Sequence, residues 1–176
     1  DLHVFYENWT GERNLRFLAQ FYPKWSNEIV ADLVRRFNLP LQKKAKELSS
    51  GNRVKLALIA ALAHAPSLLV LDEPTSGLDP VVRAEVLEVL FEAVESGERA
   101  IFYSTHILSD ISRLADELAF LSEGRLLLRT AKDDLIERWR RITFRLAGDA
   151  SEFTAAVGHR QEGKDHQIVS SDFETT

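Results

Sequence analysis

Leu68-Leu69-Val70-Leu71-Asp72-Glu73-Pro74 is the stretch on which the fold turns. Four apolar residues in a row, stopped by two acids and a proline, make a continuous run rather than an alternating one. A strand with one wet face alternates, whereas a short unbroken run suits a strand covered on both faces. A second such run, Ala100-Ile101-Phe102-Tyr103, ends in Ser104-Thr105-His106. Between them Pro80 to Ser96 has helical periodicity, with proline in the first turn and Gly97 after the last. Strand, helix and strand in this order predict a parallel sheet with helices on its faces, and the class is α/β.

Upstream the texture is helical. Thr10 is a candidate N-cap for a helix carrying Leu15, Leu18, Ala19 and Tyr22 and stopped by Pro23. Its capping box is half present, because the acid is Glu12 and Arg13 occupies the usual place. Ser26 opens a second helix with Ile29, Leu33 and Phe37 on one face, ending near Asn38 before Pro40. A third runs from about Ser49 to Ala65, stopped by Pro66. Downstream come a helix over 108–114, a strand over 118–121, a turn at Glu123-Gly124 and a strand over 126–128. Past Ala131, Leu135, Ile136 and Trp139 make a helix face, Ile142 to Leu146 reads as a strand, and the remaining residues are polar.

Composition removes several classes. The 176 residues are 45% hydrophobic and 28% charged, which is ordinary for one moderate globular core. With 22 basic and 27 acidic residues the formal charge is −5, which disfavours a nucleic-acid partner held by its phosphates. Cysteine is absent, so disulfides, thiolate metal sites and a cysteine nucleophile are excluded. The longest apolar segment, Leu56 to Ala65, falls short of the roughly 20 residues that span a bilayer. Methionine is absent too, so Asp1 is expected not to be a translation start and sequence upstream is expected.

In open parallel sheets ligands bind beyond the carboxyl ends of the strands. Asp72-Glu73 and Ser104-Thr105-His106 both fall there. Asp72 is placed to hold Mg²⁺ and Glu73 to act as a base; Pro74 is expected to keep Glu73 extended. The alternative is that both acids merely cap a strand at a turn. Leu48-Ser49-Ser50-Gly51-Asn52 opens the third helix, where free N–H groups, the dipole and a glycine suit a phosphate. The alternative there is a plain serine cap.

Together these segments resemble the nucleotide-binding subunit of an ATP-binding cassette (ABC) transporter. Leu48-Ser49-Ser50-Gly51-Asn52 is similar to the family's signature motif, usually Leu-Ser-Gly-Gly-Gln. Leu68 to Glu73 resembles Walker B, Ser76-Gly77-Leu78-Asp79 the D-loop, and His106 the switch histidine. Leu48 lies 24 positions before Asp72, in the family register without a gap. The likeness is strongest from Leu48 to His106 and weaker back to Asn8 and on to Gly124.

The resemblance implies a P-loop NTPase-type parallel sheet, here its C-terminal part, with an ABC helical subdomain and a small C-terminal extension. Residues 1–65 would be the helical subdomain, 66–130 the ATP-binding core, and 131–176 an extension without a readable role. It implies ATP and Mg²⁺ as ligands. Asp72 would hold the metal, usually through water, Glu73 would polarise the attacking water, and His106 would contact the γ-phosphate. Ser49, Ser50, Gly51 and Asn52 would bind ATP held by the opposite subunit of a head-to-tail dimer, and Asp79 would connect the two sites. Its implied partners are transmembrane permease subunits and a second ATP-binding subunit, homo- or heterodimeric. Its implied location is cytoplasmic, on the inner face of the cell membrane.

The sequence also departs from the family. No Gly-x-x-x-x-Gly-Lys-Ser/Thr occurs, and Gly163-Lys164 is followed by Asp165 without the upstream glycine. The chain is therefore expected to be the C-terminal portion of a cassette, inactive alone. Ser50 stands where the signature has glycine, and Asn52 has a shorter arm than glutamine. Val4, Phe5, Tyr6 and Trp9 suit either contact with a membrane subunit or packing onto the next helices. Arg138, Arg140, Arg141 and Arg145 form a solvated face, or alternatively a lipid or nucleic-acid contact. Two rival functions are a soluble ABC-type ATPase acting on ribosome or DNA, and a non-catalytic interaction module. The first usually carries two cassettes, long inserts or basic extensions; the second would not need Asp72, Glu73 and His106 together.

Overall fold

The computed structural model describes residues 5–95, 97–138, 140–145, 158–162 and 165–170. Val4, Ser96, Trp139, Leu146, Gly163 and Lys164, and the side chains of the Arg138–Arg145 group, lie outside that description. The chain divides into two compact units, Asp1–Leu114 and Ala115–Thr176.

The first unit is built from α1 (Gly11–Leu18), α2 (Asn27–Arg36), α3 (Ser50–Ala63), β1 (Leu68–Asp72), α4 (Pro80–Glu95), β2 (Ala100–Ser104) and α5 (Leu108–Leu114). Each of the first three helices begins where a hydroxyl can replace a missing backbone partner. Thr10 accepts from the Arg13 N–H, Ser26 from Ile29 and Ser49 from Asn52. Glu12, the displaced acid of the half capping box, pairs instead with Arg16 at 2.7 Å and Gln42 at 3.1 Å. The predicted helix through Tyr22 is shorter, passing into a 3₁₀ turn at Ala19–Phe21. The third helix stops at Ala63, two residues before expectation, because Ala65 turns into the left-handed region at φ 51° ahead of Pro66. The Ser26 N–H donates to the Ala63 carbonyl at 2.7 Å, pinning the start of α2 to the end of α3.

β1 and β2 pair in parallel with Leu68 opposite Ala100 and Asp72 opposite Ser104. That register brings both polar strand ends to one edge. Leu15, Leu33, Phe37, Leu56, Ile59, Leu69, Val86 and Leu90 are buried in a single cluster, so the helices of residues 1–65 share one core with β1 and α4. The sheet is covered on one face only among the described residues. Leu69 is buried while Leu68, Val70 and Phe102 are exposed.

The chain's start is held by a side chain that periodicity did not single out. Asn14 is buried; its Oδ1 accepts from the Tyr6 N–H at 2.9 Å and its Nδ2 donates to the Thr10 carbonyl at 3.0 Å. Phe5 is buried as well, while the ring of exposed Tyr6 lies 4.3 Å from that of Trp9, tilted by 31°.

The second unit contains β3 (Glu117–Ser122), β4 (Arg125–Ala131), α6 (Lys132–Arg138), β5 (Arg140–Arg145), β6 (Gly158–Glu162) and β7 (Asp165–Ser170). β3 and β4 form an antiparallel hairpin across Glu123 and Gly124, both at positive φ as a type I′ turn requires. The tail adds an antiparallel sheet in the order β5-β7-β6, two of whose strands the sequence reading did not foresee.

Candidate functional site

Asp72 and Ser104 face each other at the ends of β1 and β2. The Ser104 hydroxyl donates to Asp72 Oδ1 at 2.5 Å and accepts from the Glu73 N–H at 3.1 Å. The Glu73 N–H also reaches the Ser104 carbonyl at 3.1 Å. The chain turns at once, because the Glu73 carbonyl accepts from the Ser76 N–H at 3.1 Å. Glu73 consequently sits at φ 46°, in the left-handed region, and not in the extended conformation that the following proline led us to expect. A bulky residue there carries local strain, tolerated when surrounding bonds fix it.

The Glu73 carboxylate is divided between two environments. Oε1 lies 2.8 Å from His106 Nδ1. A carboxylate only accepts, so Nδ1 carries the hydrogen and Nε2 points elsewhere. Oε2 is buried without a hydrogen-bond partner. A buried oxygen left unpaired costs about 1–3 kcal/mol, and such atoms call for a reason. The His106 side chain is 71% exposed and that of Glu73 37%, so their contact is worth only about 0.2–1 kcal/mol. This bond alone is too weak to set the geometry of the pair.

The geometry is set behind it. Thr75 and Asp110 are fully buried polar residues, and neither was foreseen as functional. Asp110 Oδ2 accepts from Thr75 Oγ1 at 2.6 Å and from the Tyr103 hydroxyl at 3.0 Å. Asp110 Oδ1 accepts from Arg83 Nε at 2.8 Å and from Arg83 Nη2, which also donates to Ser109 Oγ at 2.5 Å. Burial pushes the Asp110 carboxyl up, but the bonds from Thr75, Arg83 and Tyr103 outweigh it and hold the group below the ordinary carboxylate range. The Tyr103 phenol is pushed up to about 12, chiefly by burial.

The tip of α3 presents Ser49 and Ser50 to solvent, with Asn52 half-buried. The cap engages the Asn52 N–H, so the amides of Ser50 and Gly51 are the remaining donors of the first turn. Gly51 itself is buried, and a Cβ there would lie 3.1 Å from Val82 Cγ1. Its missing side chain therefore serves close packing of α3 on the first turn of α4, a reason the sequence did not disclose. That first turn is capped by Asp79, whose exposed carboxylate accepts from the Val81 and Val82 N–H groups, both at 3.1 Å. Lys55, one turn beyond Gly51, is buried and pairs with Glu85 of α4 at 2.5 Å.

The structure thus gathers Asp72, Glu73, Ser104 and His106 at one sheet edge and links Ser49–Asn52 to Asp79 through α4. Among the described residues no hydrogen bond or ion pair joins these two groups. No cluster of three or more His, Asp or Glu side chains capable of enclosing a metal occurs among the described residues either. One exposed carboxylate backed by a hydroxyl fits Mg²⁺, which keeps several waters and needs few protein oxygens. The signals for Thr75, Tyr103, Arg83 and Asp110 were absent from any local pattern, since the bonded pairs lie up to 35 residues apart.

A family model described as an AAA domain, putative AbiEii toxin, type IV TA system, matches residues 11–109, more than half of the chain. The ABC transporter ATP-binding protein YtrB of Bacillus subtilis (strain 168) is 33% identical over 138 residues, covering 78% of this chain and 47% of the relative. A solved structure of the ATP-binding subunit of an ABC transporter is 31% identical with a TM-score of 0.66, covering 76% of this chain and 57% of that one. The dimeric structure of a post-hydrolysis state of the ATP-binding cassette MJ0796 bound to ADP and Pi superposes with a TM-score of 0.63 at 20% identity, covering 74% of this chain and 59% of that one, and shares the fold. The chain spans about half the length of the curated relatives it matches. With segments that resemble Walker B, the D-loop and the signature motif on a parallel α/β core, the chain belongs to the ATP-binding cassette (ABC) family of transporter ATP-binding proteins and has their P-loop NTPase fold.

Proposed function

We propose that these residues form the hydrolytic edge and the signature half of an ATPase that drives transport across a membrane. The observation that carries the reading is the gathering of Asp72, Glu73 and His106 at the carboxyl edge of the paired strands, with one Glu73 oxygen held by His106. A base needs a positioned carboxylate, and the turn after β1 together with the contact to His106 holds that of Glu73 at the strand edge. The Glu73 carboxylate takes a proton from water as the water oxygen attacks the γ-phosphorus and the bond to the ADP oxygen breaks. His106, with Nδ1 committed to Glu73, offers Nε2 as a donor to the γ-phosphate when the ring is charged. Asp72 Oδ2 is the oxygen available to Mg²⁺, directly or through water. The ion, when bound, neutralises charge on the phosphate oxygens.

The Ser50 and Gly51 amides and the side chains of Ser49, Ser50 and Asn52 receive the γ-phosphate of ATP bound to a second subunit, and Asp79 lies at the junction of the two sites. The head-to-tail arrangement is part of this reading; the MJ0796 cassette, which shares the fold, has a solved structure that is dimeric and bound to ADP and Pi. The loop that cradles the β- and γ-phosphates, absent from these 176 residues, comes from sequence beyond them. In this reading 1–65 is the helical subdomain, 66–130 the core and 131–176 an extension. Permease subunits dock beside the shallow cleft lined by Trp9, Arg13, Phe17 and Gln20. No helix among the described residues is long and apolar enough to cross a membrane; in this reading the subunit is peripheral, on the cytoplasmic face.

The test is Glu73→Gln in the polypeptide that includes the phosphate-binding loop. Hydrolysis is expected to fall at least a hundredfold while ATP still drives dimerisation. Turnover that survives the substitution, or comparable turnover by the 176 residues alone, overturns the proposal.

A further inference from the structure

The His106–Glu73 contact lies largely in water, yet the residues bearing it are tied together behind the site by a dry polar cluster. Thr75 is two residues after Glu73. Tyr103 precedes Ser104 on β2, Asp110 lies four residues after His106 in the first turn of α5, and Arg83 follows Asp79 by one turn of α4. Four elements therefore meet at the Asp110 carboxylate, and each also carries, or adjoins, a residue of the sheet edge or of the Asp79 loop. Both Asp110 oxygens are filled: Oδ1 by the Arg83 guanidinium, Oδ2 by Thr75 and Tyr103. Tyr103 also lies 2.8 Å from Thr75, so the two hydroxyls and one carboxylate oxygen form a closed triangle. A carboxylate held by donors from three other elements fixes their separations, because a shift of any one leaves a buried charge short of a partner.

We infer that Thr75 and Asp110 are positioning residues that hold Glu73 and His106 at bonding distance for ATP hydrolysis, with Arg83 extending the same tie to the Asp79 loop. The inference rests on the functional reading above as regards hydrolysis, while the geometric part stands without it. Asp110 acts from the first turn of α5 and Thr75 from the turn that follows Glu73. If the Thr75 hydroxyl is lost, the turn after Glu73 is free to move away from α5, and His106 Nδ1 loses its acceptor. The Glu73 carboxylate then leaves the water it has to orient, while nucleotide contacts at the α3 tip are untouched.

The test pairs Thr75→Val, which keeps the shape and removes the hydroxyl, with Thr75→Ser, which restores it. In the 176-residue chain the ¹⁵N signal of His106 Nδ1 reports whether that nitrogen holds a hydrogen bonded to Glu73. Thr75→Val is expected to shift it toward the tautomer mixture of a free imidazole, and Thr75→Ser to return it. In the polypeptide that includes the phosphate-binding loop, Thr75→Val is expected to lower kcat at least tenfold with KM for ATP changed less than twofold. A chain lacking Thr75's hydroxyl that melts lower yet keeps the wild-type Nδ1 signal overturns the inference, as does an unchanged kcat. Should Thr75→Val not fold, Tyr103→Phe removes the other hydroxyl of the triangle and is read the same way. A wild type that does not hydrolyse ATP overturns the functional reading instead, and the Nδ1 signal then decides the positioning alone.

Discussion

A methyl group added at Gly51 meets Val82 Cγ1 at 3.1 Å, closer than two carbons pack without adjustment. Alanine gains about 0.5–1 kcal/mol over glycine inside a helix, and overpacking costs about 1–3 kcal/mol. We expect Gly51→Ala to destabilise by about 0.5–1 kcal/mol in urea unfolding, and to stabilise once Val82→Ala has opened the space. Equal effects in both backgrounds would mean that packing is not why glycine stands there. The contrast with Ser49 explains what was legible at this scale. A cap is a bond between neighbours in sequence and could be read directly, whereas the pressure on Gly51 comes from residue 82. Glu73 makes the same point for the backbone. The proline rule is local and favours an extended residue, but bonds from Ser104 and Ser76 impose a left-handed turn.

Helix α3 meets α4 where Gly51 lies against Val82, and one turn further on Lys55 reaches Glu85. Its ammonium also lies 3.5 Å from the Phe37 carbonyl and 5.4 Å from that ring's centroid. Glu85 keeps 41% of its side-chain exposure, so it rehydrates if the pair is broken. The aliphatic stem of Lys55 then matters more than the charge. Lys55→Met is expected to change stability by about 1 kcal/mol or less, whereas Lys55→Ala costs about 2–3 kcal/mol through the cavity left behind. Thermal melts of the two variants check this, and equal losses would place the energy in the ion pair. Elements with an apolar signature were legible: β1, β2, α4 and α5 fall close to where the runs and periodicity place them. β6 and β7 were not, because His159-Arg160-Gln161 and Asp165-His166-Gln167 carry no apolar alternation. Strand pairing there is a property of the three-stranded sheet, not of either segment.

At the scale of the molecule, protons link the buried cluster to the stability of the Asp1–Leu114 unit. Asp110 is held below its ordinary value of 3.8, so its contribution is present above about pH 4 and is lost as pH falls through the folded pKa. Tyr103 works in the opposite sense. The unfolded phenol ionises near 10 and the folded one at about 12, so stability declines as pH rises across that window. Asp110→Asn should flatten the acid limb of a stability–pH curve and Tyr103→Phe the alkaline limb, measured by denaturant midpoints at each pH. Limbs that keep their slopes would mean the cluster does not couple to folding. The wider architecture was legible because four ordered motifs fix the identity of the core. The site's supporting shell was not, since its bonds join residues 7 to 35 apart that no motif connects.

Leu68, Val70 and Phe102 have a practical consequence. Three greasy side chains stand on a two-stranded ribbon, beside main-chain groups that the described residues leave without a neighbouring strand. Water disfavours both features, and a like surface on another molecule satisfies both at once. For these 176 residues in a tube, crowding is therefore a hazard, and dilution is the first remedy when a preparation turns cloudy.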